Sequence, residues 1–138
     1  MPAFAQNYCS VALANRKLVT QANQVRGCAV TIRDGTLTVL QPPSPGTVLF
    51  QARTDQVTAV LPKRAKILPN VYVRIADDRW LIDFSHVASN EMSRSGGKGM
   101  LKVFAGAAGT KSISVAKRIR EDFVQVLVSQ GGHIEASD

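Results

Sequence analysis

Apolar residues follow two periods along this chain. In CAVTIRDGTLTVLQ, Cys28 to Gln41, the period is two: Val30 and Ile32 alternate with Thr31 and Arg33, then Leu37 and Val39 with Thr36 and Thr38. Strict alternation is what a strand with one buried face requires. Asp34-Gly35 between the two runs suits a two-residue type I′ turn, so the stretch predicts a hairpin. Pro42-Pro43-Ser44-Pro45-Gly46 ends it, because proline cannot donate to a ladder. Thr47 to Ala52 and Thr54 to Leu61 read as further strands, the latter with Val57, Ala59 and Leu61 alternating. A second hairpin runs from Asn70 to Phe84: Val71, Val73 and Ile75 alternate, Asp77-Asp78 makes the turn, and Trp80, Ile82 and Phe84 resume. Ser85 to Gly99 is polar and glycine-rich and reads as a loop, and Gly99 to Phe104 as a last strand.

After a small-residue connector, Ala105 to Lys111, the spacing becomes three and four. Ala116, Ile119, Phe123 and Val126 recur on one stripe, widened by Ile113, Val115 and Leu127, which predicts an amphipathic helix over Ser112 to Gln130. Ser112 or Ser114 is the expected N-cap, and Gly131-Gly132 the stop. At the other end residues 1–9 read as a tail. Val11, Ala14, Leu18, Ala22 and Val25 fit a helical stripe over Ser10 to Gln24, although Lys17 to Thr20 also fits a short strand. The expected organisation is a lead-in over 1–26, helical or partly irregular, one domain over 27–130 and a tail over 131–138. The class is α+β: six to seven antiparallel strands, then one C-terminal helix that covers an open end or face of the sheet.

At 138 residues the chain suits a single core. Hydrophobic content of 45% against 20% charged places it among folded chains, and 6% aromatic makes the core mainly aliphatic. No run reaches the roughly 20 apolar residues of a spanning helix, and the first residues lack the basic start and apolar centre of a secretory signal. A cytoplasmic protein is expected. Cys9 and Cys28, 19 positions apart in sequence with no histidine near, read as reduced thiols rather than a disulfide or metal site. Neither a cofactor nor a metal is expected.

The element order, with hairpins at TIRDGTLTV and YVRIADDRWLIDF and the closing helix AKRIREDFVQVL, resembles the pleckstrin-homology-like superfold in its compact bacterial form. That resemblance covers roughly Gly27 to Gln130. It implies a strongly curved antiparallel sheet or partly open barrel capped by the helix, and a binding role. Many members carry a tryptophan in that helix; here Phe123 stands there and Trp80 lies on a strand. Inositide-binding members carry a basic motif around the first hairpin, where this chain has only Arg33 before Asp34-Gly35. Phosphoinositide recognition is therefore not implied.

A net charge of +7 permits attraction to phosphate surfaces. Three groups of cations are candidates for holding an anion or a partner: Lys63, Arg64 and Lys66 in the loop PKRAKILP; Lys117, Arg118 and Arg120 in the final helix; and Lys111 at its start. The helix cations sit at the wrong end for the macrodipole, at a cost of ~0.3 kcal/mol each, so local stability does not explain them. Tyr72 and Arg74 share the outward face of a strand whose inward set is Val71, Val73 and Ile75, and form a candidate contact pair.

The segment KVFAGAAGTKSISVAK reads strand, glycine-rich loop, helix. It fails the Walker pattern, because Thr110 separates Gly109 from Lys111-Ser112 and Ala105 stands in the early glycine position. SGGKGM, Ser95 to Met100, is a basic glycine-rich loop without the strand and helix that phosphate cradles need. In DFSH, alternation puts His86 opposite Asp83 and Ser85; Asp77-Asp78 is accounted for by its turn, and Glu91 and His133 are isolated. The expected function is a non-catalytic module for a protein or peptide partner. The alternative is attraction to anionic lipid headgroups or nucleic acid through the basic loop and helix.

Overall fold

The computed structural model describes residues 2–14, 24–42, 46–61, 70–84 and 105–136. Eight strands form one sheet: β1 (Phe4–Leu13), β2 (Gln24–Arg33), β3 (Thr36–Gln41), β4 (Thr47–Arg53), β5 (Val57–Leu61), β6 (Asn70–Ile75), β7 (Asp78–Asp83) and β8 (His133–Ala136). The helix α1 (Ala105–Ser129) lies between β7 and β8 in sequence. Across the sheet the order is β4-β3-β2-β1-β7-β6-β5-β8. Every pairing is antiparallel except β5 with β8. The expected α+β class, a curved and open sheet closed by a C-terminal helix, is what the chain adopts; eight strands form where six to seven antiparallel ones were expected, and β8 pairs in parallel.

The first hairpin forms as expected. Arg33 pairs with Thr36, and Asp34 and Gly35 take φ of 51° and 75°, the two left-handed positions of a type I′ turn. The second turn falls one residue early. Ile75 pairs with Asp78, so Ala76 and Asp77 are the turn, with Ala76 at φ 52°.

The lead-in expectation is corrected, because residues 4–13 are a full strand at the centre of the sheet. Two bulges, one on each strand of the β1–β2 pair, hid its alternation. Between Gln6↔Val30 and Cys9↔Cys28, Asn7 and Tyr8 face Ala29 alone. Between Cys9↔Cys28 and Val11↔Val25, Ser10 faces both Arg26 and Gly27. Tyr8 and Gly27 take the left-handed conformation, at φ 66° and 77°. Bulges bend a strand and increase its twist. Past this bend Ser10 to Leu13 pair with β7 while Val11 and Ala12 keep β2, so β1 belongs to both halves of the sheet. Cys9, Ser10, Val11 and Ala12 are consequently all buried.

The helix stripe docks on the concave face. Ala116, Ile119, Phe123 and Leu127 are buried against Val30, Ile32, Leu37, Val39, Val57, Val71, Val73 and Ile82. Three rings meet at the centre: Phe4 lies 5.3 Å from Phe123 and 6.1 Å from Phe84, and Phe84 lies 5.8 Å from Phe123. The helix starts at Ala105, earlier than its stripe implied, so Ser112 and Ser114 lie inside it and are not caps. Its end is as expected. Gly131 N–H donates to Val128 O at 3.0 Å and Gly132 N–H to Leu127 O at 2.9 Å, the paired bonds of a Schellman motif.

Gln130, directly after the helix, ties that end down. Its Oε1 accepts from Gly35 N–H at 2.8 Å, its Nε2 donates to Pro2 O, and its carbonyl accepts from the buried Thr54 hydroxyl. The expected C-terminal tail is corrected by β8, which adds to β5. The expected strand over Gly99 to Phe104 and the loops over 62–69 and 85–99 lie outside the described residues.

Cys9 and Cys28 are register partners, fully buried, and unbonded to each other. Burial pushes the Cys9 thiol from 9.0 up to about 12, with Cys28 and Asp83 adding to the effect, and burial pushes Cys28 up to about 11. The folded chain therefore holds its thiol protons more tightly than the unfolded one. Stability from this source is complete below pH 9 and falls as pH rises towards 11 and 12. The expected slope is about 1.4 kcal/mol per pH unit for each thiol. Urea denaturation across this range should show a shallower decline for the Cys9→Ala/Cys28→Ala chain than for the unmodified one.

Candidate functional site

Alternation on β6 turns Val71 and Val73 into the core and Tyr72 and Arg74 to the outer face. Tyr72 is half-buried because the Arg79 guanidinium, from β7, lies 3.8 Å from its ring centroid. Arg74 and Arg79 are direct register partners, and like charges so placed repel. The stacking of Arg79 and an ion pair at Arg74 offset that repulsion. Arg74 Nη2 donates to Glu135 Oε2 at 2.8 Å, with both side chains about half exposed. An exposed pair of this kind contributes at most about 1 kcal/mol.

Glu135 comes from β8, which runs along the outer edge of β5 with His133 opposite Thr58 and Ala136 opposite Leu61. The ring of His133 meets Asp55 O at 3.2 Å through Nε2. Past Leu61 the edge opens into a groove of about 260 Å³ lined by Leu61, Arg120, Glu121, Val124 and Gln125. Arg120 is buried at 7% exposure; burial lowers its pKa and neighbouring Glu121 opposes the shift. A guanidinium remains charged in such a setting.

The three helix cations differ in exposure. Arg118 is exposed, Lys117 is half-buried and Arg120 turns into the seam between helix and β5. Lys63, Arg64 and Lys66 lie outside the described residues, as does the side chain of Lys111. Leu61, the last described residue before the basic loop, shares the groove with Arg120. Tyr72 and Arg74 are brought together as expected. Sequence reasoning missed Arg79 and Glu135. Arg79 was available from alternation in DRWLID, whereas nothing in HIEASD marks a strand that returns to β5.

A second groove, of about 370 Å³, lies over the bulges of β1 and β2 and is lined by Asn7, Tyr8, Gly27, Ala29, Leu40 and Pro42 among others. Register places Ala29, Leu40 and Val48 in one row beside Tyr8, and Tyr8 and Val48 are exposed. Among the described residues no group of three metal-ligating side chains occurs, and no helix is long and apolar enough to cross a membrane.

Neither a family model nor a curated protein matches the chain. Among solved structures it is similar to the pleckstrin homology domain of ArhGAP27, with a TM-score of 0.40 and 11% identity over 80% of this chain and 97% of that one. No residue role passes with that likeness.

Proposed function

We propose that the chain is a non-catalytic binding module that takes up a protein or peptide partner as an added strand at the β5 edge. The seating of β8 supports this reading: four residues lie in register along Thr58 to Leu61, so this edge accepts an extended segment through its backbone groups. Arg74 beside the edge supplies a guanidinium that donates to a carboxylate, and the groove lined by Leu61 and Val124 supplies apolar surface. Both thiols are held protonated in the core, which withholds them as nucleophiles. Two free buried thiols also agree with a cytoplasmic setting.

Selection of a random displayed peptide library on the immobilised chain tests this. Acidic sequences of strand-forming residues should be enriched, and Arg74→Glu should weaken the selected peptides at least about tenfold, as expected when an ion pair at an interface is replaced by repulsion. Binding should weaken only modestly with salt, as a single exposed ion pair allows. A steep fall with salt, abolished by Lys63→Glu with Lys66→Glu, would instead establish the phosphate-surface alternative.

A further inference from the structure

We infer that β8 is a displaceable internal ligand, and that the partner is an extended acidic segment that replaces it with a carboxylate set against Arg74. This rests on the β5-edge reading and adds both the chemistry of the partner and the regulation of the site.

Four observations carry it. β8 is the shortest of the described strands and the one in parallel pairing. It contributes little to the core: His133, Ile134 and Glu135 are exposed, Ile134 at 52%. Its described side-chain attachments, Glu135 to Arg74 and His133 to Asp55 O, are both at the exposed surface. Finally, the helix is anchored upstream of it. The Schellman bonds of Gly131 and Gly132 and the three bonds of Gln130 do not involve β8, so the strand can leave while α1 stays docked.

The register defines what replaces it. A segment running parallel to β5 places an acidic residue at the Glu135 position, beside Val60 and within reach of Arg74. Its next residues pass Leu61 towards the groove formed with Val124, so an apolar side chain shortly after the acid has a seat. While β8 occupies the edge, the apparent affinity for such a segment is reduced by the fraction of time the edge is open.

The test uses full-length protein and a labelled peptide of the chain's own residues 131–138, GGHIEASD, followed by fluorescence anisotropy. One variant releases β8 by Ile134→Pro with Glu135→Pro. Alternate residues of a strand donate to a given neighbour, so one of the two prolines removes a donor to β5. A second variant, Glu135→Arg, releases it by repulsion from Arg74. Released chains should bind the peptide at least tenfold more tightly than the unmodified chain. Adding Arg74→Glu to the proline-released chain should abolish that gain, and a peptide with lysine in place of the glutamate should restore it. Equal, tight binding by released and unmodified chains would overturn the internal-ligand role while leaving the edge reading intact. Indifference to the Glu-to-Lys exchange would overturn the acidic chemistry. No binding by either released variant, with the β1–β3 amides still protected from hydrogen exchange, would overturn the edge reading and this inference with it.

Discussion

Phe123→Ala is expected to destabilise the chain by about 3–5 kcal/mol, the range for removing a buried aromatic ring. Phe123 is fully buried and meets both Phe4 and Phe84, so its loss opens a cavity between β1, the end of β7 and the helix. The site cannot collapse easily, because each neighbour is fixed by a different element. The edge-on contact with Phe4 adds about 0.5–1.5 kcal/mol beyond area burial, so Phe123→Leu should recover part but not all of the loss. Urea denaturation of the three chains gives the order directly. An alanine variant within about 1 kcal/mol of the unmodified chain would mean that α1 is not held by this cluster.

Gly132→Ala is expected to cost about 3 kcal/mol, at the upper end of overpacking effects. A Cβ there would lie 2.5 Å from Leu127 Cγ and 2.8 Å from Leu127 O. Leu127 is fully buried, and its carbonyl already accepts the Gly132 N–H, so neither atom has room to retreat. Gly131 offers an internal comparison. It stands at φ 99°, but an added Cβ would meet only Asp55 Cβ at 3.9 Å. Gly131→Ala should therefore cost only the left-handed backbone penalty of about 1–2 kcal/mol. Thermal unfolding should rank the two neighbours Gly132 above Gly131. Equal losses would show that backbone conformation, not the close approach to Leu127, sets the requirement for glycine.

The parts of this fold that were legible share one property: a face exposed to solvent keeps the period visible. β2 from Cys28 onward, β3, β6 and the docked half of α1 keep their period between core and water. β1 was not legible because Cys9, Ser10, Val11 and Ala12 are buried in succession at a double bulge, which leaves no alternation to read. The second turn shifted by one because Ala76, not an aspartate, takes the left-handed position, a choice set by the β6–β7 register rather than by turn preference. The helix start was obscured by Gly106 and Gly109, which penalise a helix locally. At the candidate site, Tyr72 and Arg74 followed from alternation alone. Glu135 could not, since 61 positions separate it from Arg74 and only the return of β8 to β5 joins them.

The dual membership of β1 also bears on the order of folding. Strands β2 to β4 and β5 to β7 are each joined to sequence neighbours, so both blocks need only short loop closures. The blocks meet where Ser10 to Leu13 find Trp80 to Asp83, a closure across the whole stretch from Leu13 to Trp80. Loop-closure entropy opposes that step before any contact rewards it. The two bulges shape the four rungs at which the blocks become one sheet, and the concave face on which α1 docks is complete only after those rungs form.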